Sequence, residues 1–274
     1  MKRLTALIAI IALVSFLLPD SAWCWGSRTH QKACSDAYFI MPAAFRDFLG
    51  ARDDKHPSLK ALLEASLEPD RVLKDFRNHV YHLHGYTMGN GPFHVEKLVK
   101  EIAEDIKANK PKTLIIQKLG WVAHYCADLL QPLHTGVATW EGIEEKTYHS
   151  AFEKDADKFV YTFGVSFQGA SNVKRISARE VYEALWANQY YEAIEQAYTS
   201  GNRFEAVDKI AEATYSRGVN NIVNMWYTAW AMSGGKINPK VDMKPRYFPA
   251  LQKASDVGRR GNAVPLRSLE ELGE

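Results

Sequence analysis

The first feature that could carry chemistry is a set of metal-binding side chains within one short stretch. His124 is followed by Asp128 and His134, and His149 is followed by Glu153. Residues four apart lie on one face of a helix, so each histidine–acid pair could present two ligands together. A proline two residues before His134 disfavours continued helix and lets the chain turn back toward that face. Imidazole and carboxylate groups without a thiolate suit a hydrolytic zinc site.

The alternative interpretation is two unrelated pairs on solvated helix faces and a histidine in a loop. The sequence around His124 and Asp128 argues against it, because the neighbouring side chains are mostly large and apolar. They are Trp121, Val122, Tyr125, Leu129 and Leu130. A helix of this composition is predicted to be internal, where a carboxylate and an imidazole are costly unless they are paired or bind a metal.

The N-terminus predicts export. Lys2 and Arg3 precede an apolar run over residues 4–18 that is too short to span a bilayer, and a proline ends the run. These features predict a signal peptide over residues 1–24, cleaved between Cys24 and Trp25. A lipoprotein signal at Cys24 is the alternative, and the bulky Trp23 argues against it. We expect a soluble periplasmic or secreted protein.

The composition excludes some classes of protein. The 34 basic and 32 acidic residues nearly balance, which gives no bulk electrostatic reason to bind nucleic acid. Of the three cysteines, Cys34 and Cys126 remain after cleavage, so there is no disulfide framework, although one bridge between them is permitted outside the cytoplasm.

The mature chain is predicted to be one all-α domain over residues 25–232. Apolar periodicity predicts helices over residues 30–49, with a bend at Pro42, and over 59–67, 94–109, 112–130, 147–163, 178–199 and 204–231. Residues 160–167 are the best candidate for a strand. Residues 233–274 are rich in Gly, Pro and Lys, so we expect a loosely packed or disordered C-terminal extension.

The histidines lie in one part of the chain. All nine fall between His30 and His149. The N-terminal half is therefore predicted to carry the chemistry. The later aromatic residues are predicted to form core rather than a substrate platform; they are Trp186, Tyr190, Trp226 and Trp230.

Five motifs occur in the order seen in a known superfamily. They are WGSRTH (residues 25–30), EPD (68–70), NHVY (78–81), HYCADLLQPLH (124–134) and HSAFE (149–153). Over about residues 25–160 the chain resembles the zinc-dependent phospholipases C of bacteria and the related fungal-type zinc nucleases. The short interval between His134 and His149 is similar to the phospholipase branch, whereas the start at Trp25 with His30 is similar to the nuclease branch.

The resemblance implies a helical phosphodiesterase with three zinc ions. Trp25 would bind the first ion through its freed α-amino nitrogen and carbonyl oxygen, together with His30. Asp128 would bridge this ion to a second one. The second ion would also be held by His124, Asp70 and a histidine of the 79–84 cluster, and the third by His134, His149 and Glu153.

The histidine that accompanies Asp70 is the least specified ligand. His79 fits the family pattern best, and His82 and His84 compete with it within six residues. Asp70 follows a proline, where an aspartate is ordinarily a helix cap. His56 and His94 have no carboxylate at ligand spacing and are predicted to lie at the surface.

Clustered zinc ions lower the pKa of water, to about 7 at a single catalytic zinc, and neutralise phosphoryl oxygens. Asp70 could also orient or deprotonate the water as a catalytic residue. Together with the resemblance, this chemistry implies an exported hydrolase of phospholipids that contacts the membrane surface transiently. The first alternative is a single-strand-specific nuclease or 3′-nucleotidase that binds nucleic acid, and the second is a zinc-binding protein without turnover.

Overall fold

The computed structural model describes residues 25–50, 57–85, 89–138, 143–242, 244–250 and 264–265. The predicted signal peptide over residues 1–24 and His56 lie outside the described residues. The α-helices are α1 (Ser27–Ile40), α2 (Ala43–Leu49), α3 (Pro57–Ala65), α4 (Gly91–Lys107), α5 (Lys112–Asp128), α6 (Ile143–Phe159), α7 (Ile176–Asn188), α8 (Tyr191–Thr199), α9 (Asp208–Met232) and α10 (Pro239–Asp242).

Short elements connect these helices. A π-helical turn spans Pro69–Leu73, and 3₁₀ turns span Phe76–Asn78, Pro132–His134, Val160–Thr162 and Arg203–Ala206. Strand β1 (His84–Gly85) pairs in parallel with β2 (Val137–Ala138). Strand β3 (Val165–Phe167) pairs antiparallel with β4 (Arg246–Phe248), which pairs antiparallel with β5 (Val264–Pro265).

Helix α5 lies inside the molecule, as its composition predicts. It packs against α1, α3, α4 and α9. From Leu119 to Asp128 every residue except the half-buried Trp121 is buried, so the helix has no solvated stripe along this part of its length. The indole nitrogen of Trp226 on α9 donates a hydrogen bond to the carbonyl of Leu119 at 3.0 Å. Polar side chains at the end of α5 are therefore held in a dry and closely packed setting.

The boundaries of the elements differ from the predicted ones where local signals compete. Pro42 separates α1 from α2 rather than bending one helix, because it disfavours helical conformation at the residue before it. The segment predicted as a helix over residues 178–199 is two helices. The strand predicted over residues 160–167 is reduced to β3, and its first residues form a 3₁₀ turn.

Part of the C-terminal extension packs against the segment that follows α6. Strand β4 pairs with β3, Phe248 is buried, and the amide of Ala170 donates to the carbonyl of Asp242 at 3.0 Å. The description of a loosely packed extension therefore does not fit residues 246–248. Sequence periodicity misses this pairing because it joins segments about eighty residues apart. No helix among the described residues is both long and apolar enough to span a bilayer.

Cys34, Cys126 and the later tryptophans lie in or against the hydrophobic core. Cys34 and Cys126 are both buried free thiols. Trp226 and Trp230 are buried, and the ring of Phe45 packs against both of them, as expected for core residues. Trp186 is half-buried, with the guanidinium of Arg217 4.1 Å from the centroid of its ring.

A buried carboxyl on α7 should make the stability of the protein depend on pH. Glu180 is fully buried and accepts a hydrogen bond from the side-chain amide of Asn221 at 2.8 Å. Burial raises the pKa of Glu180 to about 8. The folded state therefore keeps a proton that the unfolded state loses above its ordinary pKa, so stability falls as the pH rises through this window.

We expect Glu180→Gln to remove this dependence. Between pH 6 and 8, the free energy of unfolding of the unmodified protein should fall relative to the variant by about 1.4 kcal/mol per pH unit. Urea unfolding at several pH values measures the difference. The control is Glu183→Gln, which breaks ion pairs to Arg179 and Arg217 and should destabilise instead. Parallel pH profiles for Glu180→Gln and the unmodified protein would contradict this expectation.

Candidate metal centre

The centre is built on the last turns of α5. His124 and Asp128 are both fully buried, and their spacing of four residues brings His124 Nε2 to 3.1 Å from Asp128 Oδ2. The other ring nitrogen of His124 donates to the backbone carbonyl of Ser66 at 2.7 Å. This hydrogen bond keeps the proton on Nδ1 and leaves Nε2 available as the ligand atom, since the partner of one ring nitrogen decides whether the other is protonated or binds a metal.

A glycine allows the close approach that makes this hydrogen bond. A Cβ atom at Gly120 of α5 would lie 2.5 Å from the Cβ of Ala65 and 2.8 Å from the nitrogen of Ser66. The end of α3 can approach α5 only because no side chain is present at this position. Gly120 thus positions the carbonyl of Ser66 against His124.

His30 reaches the centre from α1. Its Nε2 lies 3.4 Å from Asp128 Oδ1, and its ring stacks on that of His124 with 3.8 Å between centroids. Burial, together with the neighbouring His124, lowers the pKa of His30 to about 3. His30 is therefore neutral and able to act as a metal ligand.

Asp70 and His79 enter the centre from the irregular segment after α3. Asp70 Oδ1 lies 3.6 Å from His124 Nε2 and 3.7 Å from His79 Nδ1. His79 Nδ1 lies 2.9 Å from Asp128 Oδ2. His82 instead has its Nδ1 3.1 Å from the carbonyl of Gly136. Of His79 and His82, the structure therefore brings His79 into the centre.

A second group lies beside the first. His134 ends the 3₁₀ turn Pro132–His134, and His149 and Glu153 lie one turn apart on α6. Glu153 Oε1 lies 2.9 Å from His149 Nε2 and 3.3 Å from His134 Nε2. His134 Nδ1 also lies 3.7 Å from Asp128 Oδ1, which joins the two groups.

The two oxygens of Asp128 face different histidines. Oδ2 faces His79 and His124, while Oδ1 faces His30 and His134. A carboxylate in this position can bridge two cations with one oxygen on each. This is the geometry expected of a bridging ligand.

Trp25 lies at the edge of the centre. It is buried, its indole nitrogen donates to the carbonyl of Ala127 at 3.0 Å, and its ring lies 5.6 Å from that of Phe152. Ala127 directly precedes the candidate ligand Asp128, and Phe152 directly precedes the candidate ligand Glu153. A Cβ atom at Gly26 would collide with Asp157, so glycine is required next to Trp25. The side chain of Trp25 thus packs against residues that adjoin two candidate ligands, Asp128 and Glu153.

The residues fit zinc by three criteria. Ligand atoms fall into groups within 4.8 Å of one another: His30, Asp70 and His124; His79, His124 and Asp128; and His134, His149 and Glu153. Ligands about 2.0–2.1 Å from a tetrahedral zinc ion lie about 3.3 Å apart, which is close to the observed separations. The third criterion is a set of buried atoms with no hydrogen-bond partner among the described residues: both ring nitrogens of His30 and His134, Asp128 Oδ1 and Glu153 Oε2.

The charges of the centre also favour a cation. Burial opposes ionisation of Asp128, but His124 and His30 outweigh it and hold the pKa of Asp128 well below its usual range. Burial likewise opposes the charge of His124, yet Asp128 and Asp70 raise its pKa to about 10. Burial raises the pKa of Glu153 to about 7. Zinc would replace the protons held by His124 and Glu153.

Two residues at the centre were not predicted from the sequence. Asp75 Oδ1 lies 3.2 Å from His79 Nε2, and the hydroxyl of Tyr125 donates to Asp75 Oδ2 at 2.8 Å. Gln131 is buried, with its amide nitrogen 2.9 Å from both His149 Nε2 and Glu153 Oε1. The available signals were the four-residue spacing of Asp75 and His79 and the place of Gln131 inside the motif at residues 124–134.

His94 also differs from its predicted position at the surface. It is half-buried, and its ring makes an edge contact with Tyr125 at 4.7 Å between centroids. It therefore packs behind the tyrosine that holds Asp75.

We expect Asp75→Asn to weaken zinc binding. The carboxylate accepts from one nitrogen of His79 and so orients the other toward Asp70 and Asp128; loss of such a partner typically costs about 10–100-fold in metal affinity. Titration against a chromophoric chelator measures the change. The matched control is Asp155→Asn, which removes another carboxylate bonded to a tyrosine hydroxyl, at Tyr198. Equal affinities for Asp75→Asn and the unmodified protein would show that Asp75 does not position His79.

Comparison with known proteins agrees with this geometry. The family described as zinc dependent phospholipase C matches residues 29–204, which include every candidate ligand except Trp25. Among curated protein sequences, no significant match is found.

A solved structure shares the fold. The crystal structure of Clostridium perfringens alpha-toxin from avian strain SWCP superposes with a TM-score of 0.51 at 15% identity, covering 78% of this chain and 67% of the toxin. The alpha-toxin of Clostridium absonum gives a TM-score of 0.49 at 15% identity, covering 74% of this chain and 63% of that one. The chain thus spans about two thirds of the length of these toxins. The predicted all-α fold of the phospholipase C type is confirmed.

The family match extends over more than half of the chain and over the residues that form the centre. The chain therefore belongs to the zinc-dependent phospholipase C family, whose members hydrolyse the phosphodiester bonds of phospholipids.

Proposed function

We propose that this protein is an exported enzyme that cleaves a phosphoglyceride in the manner of a phospholipase C, with three zinc ions. Trp25, His30 and Asp128 would hold the first ion, and Asp128, Asp70, His79 and His124 the second. His134, His149 and Glu153 would hold the third. The observation that carries the proposal is the pair of oxygens on Asp128, each facing different histidines.

Zinc supplies the charge that lowers the pKa of a water molecule and neutralises the phosphoryl oxygens of the substrate. The protein contributes position and a dry setting. Seven of the nine candidate ligands are almost fully buried, whereas the side chain of Asp70 is 31% exposed and that of His149 is 13% exposed. The centre therefore opens to solvent at Asp70 and His149, and the phosphate diester would enter on this side.

Asp70 is suited to the role of catalytic residue. Burial opposes its ionisation, but hydrogen bonding and charge from His124 lower the pKa of Asp70 to about 2, so it is a carboxylate near neutral pH. Oδ1 faces His79 and His124. The other oxygen can accept a hydrogen bond from the attacking water and orient it toward phosphorus.

Export and metal binding are connected through Trp25. Removal of residues 1–24 would free an α-amino group whose pKa near 8 lets it lose a proton to a cation. The buried position of Trp25 beside Ala127 supports this role. Cleavage at this bond would therefore complete the centre after the protein has been exported.

A parallel turnover assay tests the proposed function. Zinc-loaded protein that begins at Trp25 is offered short-chain phosphatidylcholine below its micellar concentration, single-stranded DNA and single-stranded RNA. We expect release of diacylglycerol and phosphocholine, at a rate well above that on nucleic acid. Faster hydrolysis of nucleic acid would establish the nuclease alternative, and full zinc occupancy without turnover on any phosphodiester would establish a non-catalytic protein.

A further inference from the structure

Residues 71–77 form an exposed apolar surface beside the metal centre; we refer to them as the 71–77 segment. Val72 is 69% exposed, Leu73 is 40% exposed and Phe76 is 47% exposed. Single exposed apolar residues are common on soluble proteins, but three within five consecutive positions form a patch, and such patches mark interaction sites.

In this part of the chain the acidic side chains point toward the metal centre and the basic side chains are exposed. Asp70 and Asp75 point inward and meet His79. Arg71, Lys74 and Arg77 are exposed, and none of them forms an ion pair with a described residue; the guanidinium of Arg71 donates one hydrogen bond, to Ser27 Oγ at 3.1 Å. The outer surface of the segment is therefore apolar and basic, while its acids belong to the centre.

Backbone hydrogen bonds hold the segment in place. Lys74 adopts a left-handed conformation with φ of 50° and donates from its amide to the carbonyl of Pro69 at 2.7 Å. The amide of Asn78 donates to the carbonyl of Asp75, and the amide of Asn90 donates to the carbonyl of Arg77, both at 2.8 Å. The apolar side chains are thus presented by an ordered turn.

We propose that the 71–77 segment docks on an anionic phospholipid bilayer, with Val72 and Leu73 inserted and Arg71, Lys74 and Arg77 at the level of the phosphates. Apolar side chains bordered by cations are the chemistry that binds an anionic membrane surface. The inference rests on the proposed function, because the substrate then lies in the same membrane. Docking would bring the head groups to the open side of the centre at Asp70.

Binding is measured by co-sedimentation of the zinc-loaded protein with vesicles of phosphonate phospholipids, in which a carbon–phosphorus bond replaces the bond that would be cleaved. One set of vesicles carries an anionic glycerol head group and the other a neutral choline head group. We expect the double substitution Val72→Ser with Leu73→Ser to weaken binding to anionic vesicles at least about tenfold. The reason is that two apolar side chains are no longer transferred from water into the membrane. Turnover on monomeric short-chain phosphatidylcholine should be unchanged.

The charged residues are tested separately. Lys74→Gln with Arg77→Gln should weaken binding to anionic vesicles about tenfold and reduce its dependence on salt, with little effect on neutral vesicles. The matched control is Leu185→Ser with Val241→Ser, which removes two exposed apolar side chains elsewhere, 51% and 56% exposed, and should bind as the unmodified protein does.

Two results would overturn the proposal: unchanged vesicle binding by Val72→Ser with Leu73→Ser, or an equal loss in the control. Tighter binding to polyglutamate than to anionic vesicles would overturn it in favour of an acidic protein partner. Failure of the unmodified protein to hydrolyse the monomeric phospholipid counts against the proposed function instead. If vesicle binding still depended on Val72 and Leu73 in that case, the membrane-docking proposal would stand although the proposed enzymatic function had failed.

Discussion

Asp128→Asn is expected to remove two of the three zinc ions and to lower turnover on phospholipid at least about a thousandfold. The amide keeps the size of the carboxylate but offers one oxygen instead of two. Because Oδ1 and Oδ2 face different histidines, one of the two bridged positions loses its oxygen and both lose negative charge. Zinc content by mass spectrometry and turnover on short-chain phosphatidylcholine measure the effect.

The control for this substitution is Asp105→Asn, which removes a carboxylate paired with Lys118 away from the centre. It should retain full zinc content and turnover. Circular dichroism should show that both variants remain helical. An Asp128→Asn variant with three zinc ions and unchanged turnover would rule out the bridging role.

A methionine retained ahead of Trp25 is expected to cost one zinc ion and to lower turnover about a hundredfold, as removal of one electrostatic element at a reaction centre commonly does. The extra residue converts the α-amino nitrogen into an amide, which is a poor ligand, and leaves His30 without its partner on the first ion.

A tag after Glu274 provides the control, since it leaves the N-terminus free. Mass spectrometry of the exported protein should find Trp25 as its first residue. Equal turnover of the extended and cleaved forms, or cleavage at another bond, would remove the terminal ligand from the account. A two-zinc centre would be left, built from Asp70, His79, His124, Asp128, His134, His149 and Glu153.

The sequence predicts the parts of the centre that depend on helical geometry. The His124–Asp128 and His149–Glu153 pairs follow from a spacing of four residues, because a regular helix fixes the direction of such side chains. The burial of His124 and Asp128 follows from the apolar residues around them. Likewise, the proline before His134 indicates the turn that brings this histidine back.

The irregular parts of the centre could not be predicted in the same way. Asp70 lies in a π-helical turn and His79 follows a 3₁₀ turn, where no sequence period fixes the direction of a side chain. The family pattern favours His79, but it is the contacts in the structure that separate His79 from His82. Asp75 has the spacing of a helical pair but acts from a loop, and the pairing of β3 with β4 depends on distant contacts.

Crystals of protein that begins at Trp25, measured on both sides of the zinc absorption edge, would test the trinuclear centre most directly. Three zinc peaks are expected in the anomalous difference map: one beside Trp25 and His30, one among Asp70, His79 and His124, and one among His134, His149 and Glu153. Asp128 should lie between the first two peaks. A map without zinc at these residues, or with a single ion away from Asp128, would contradict the trinuclear centre.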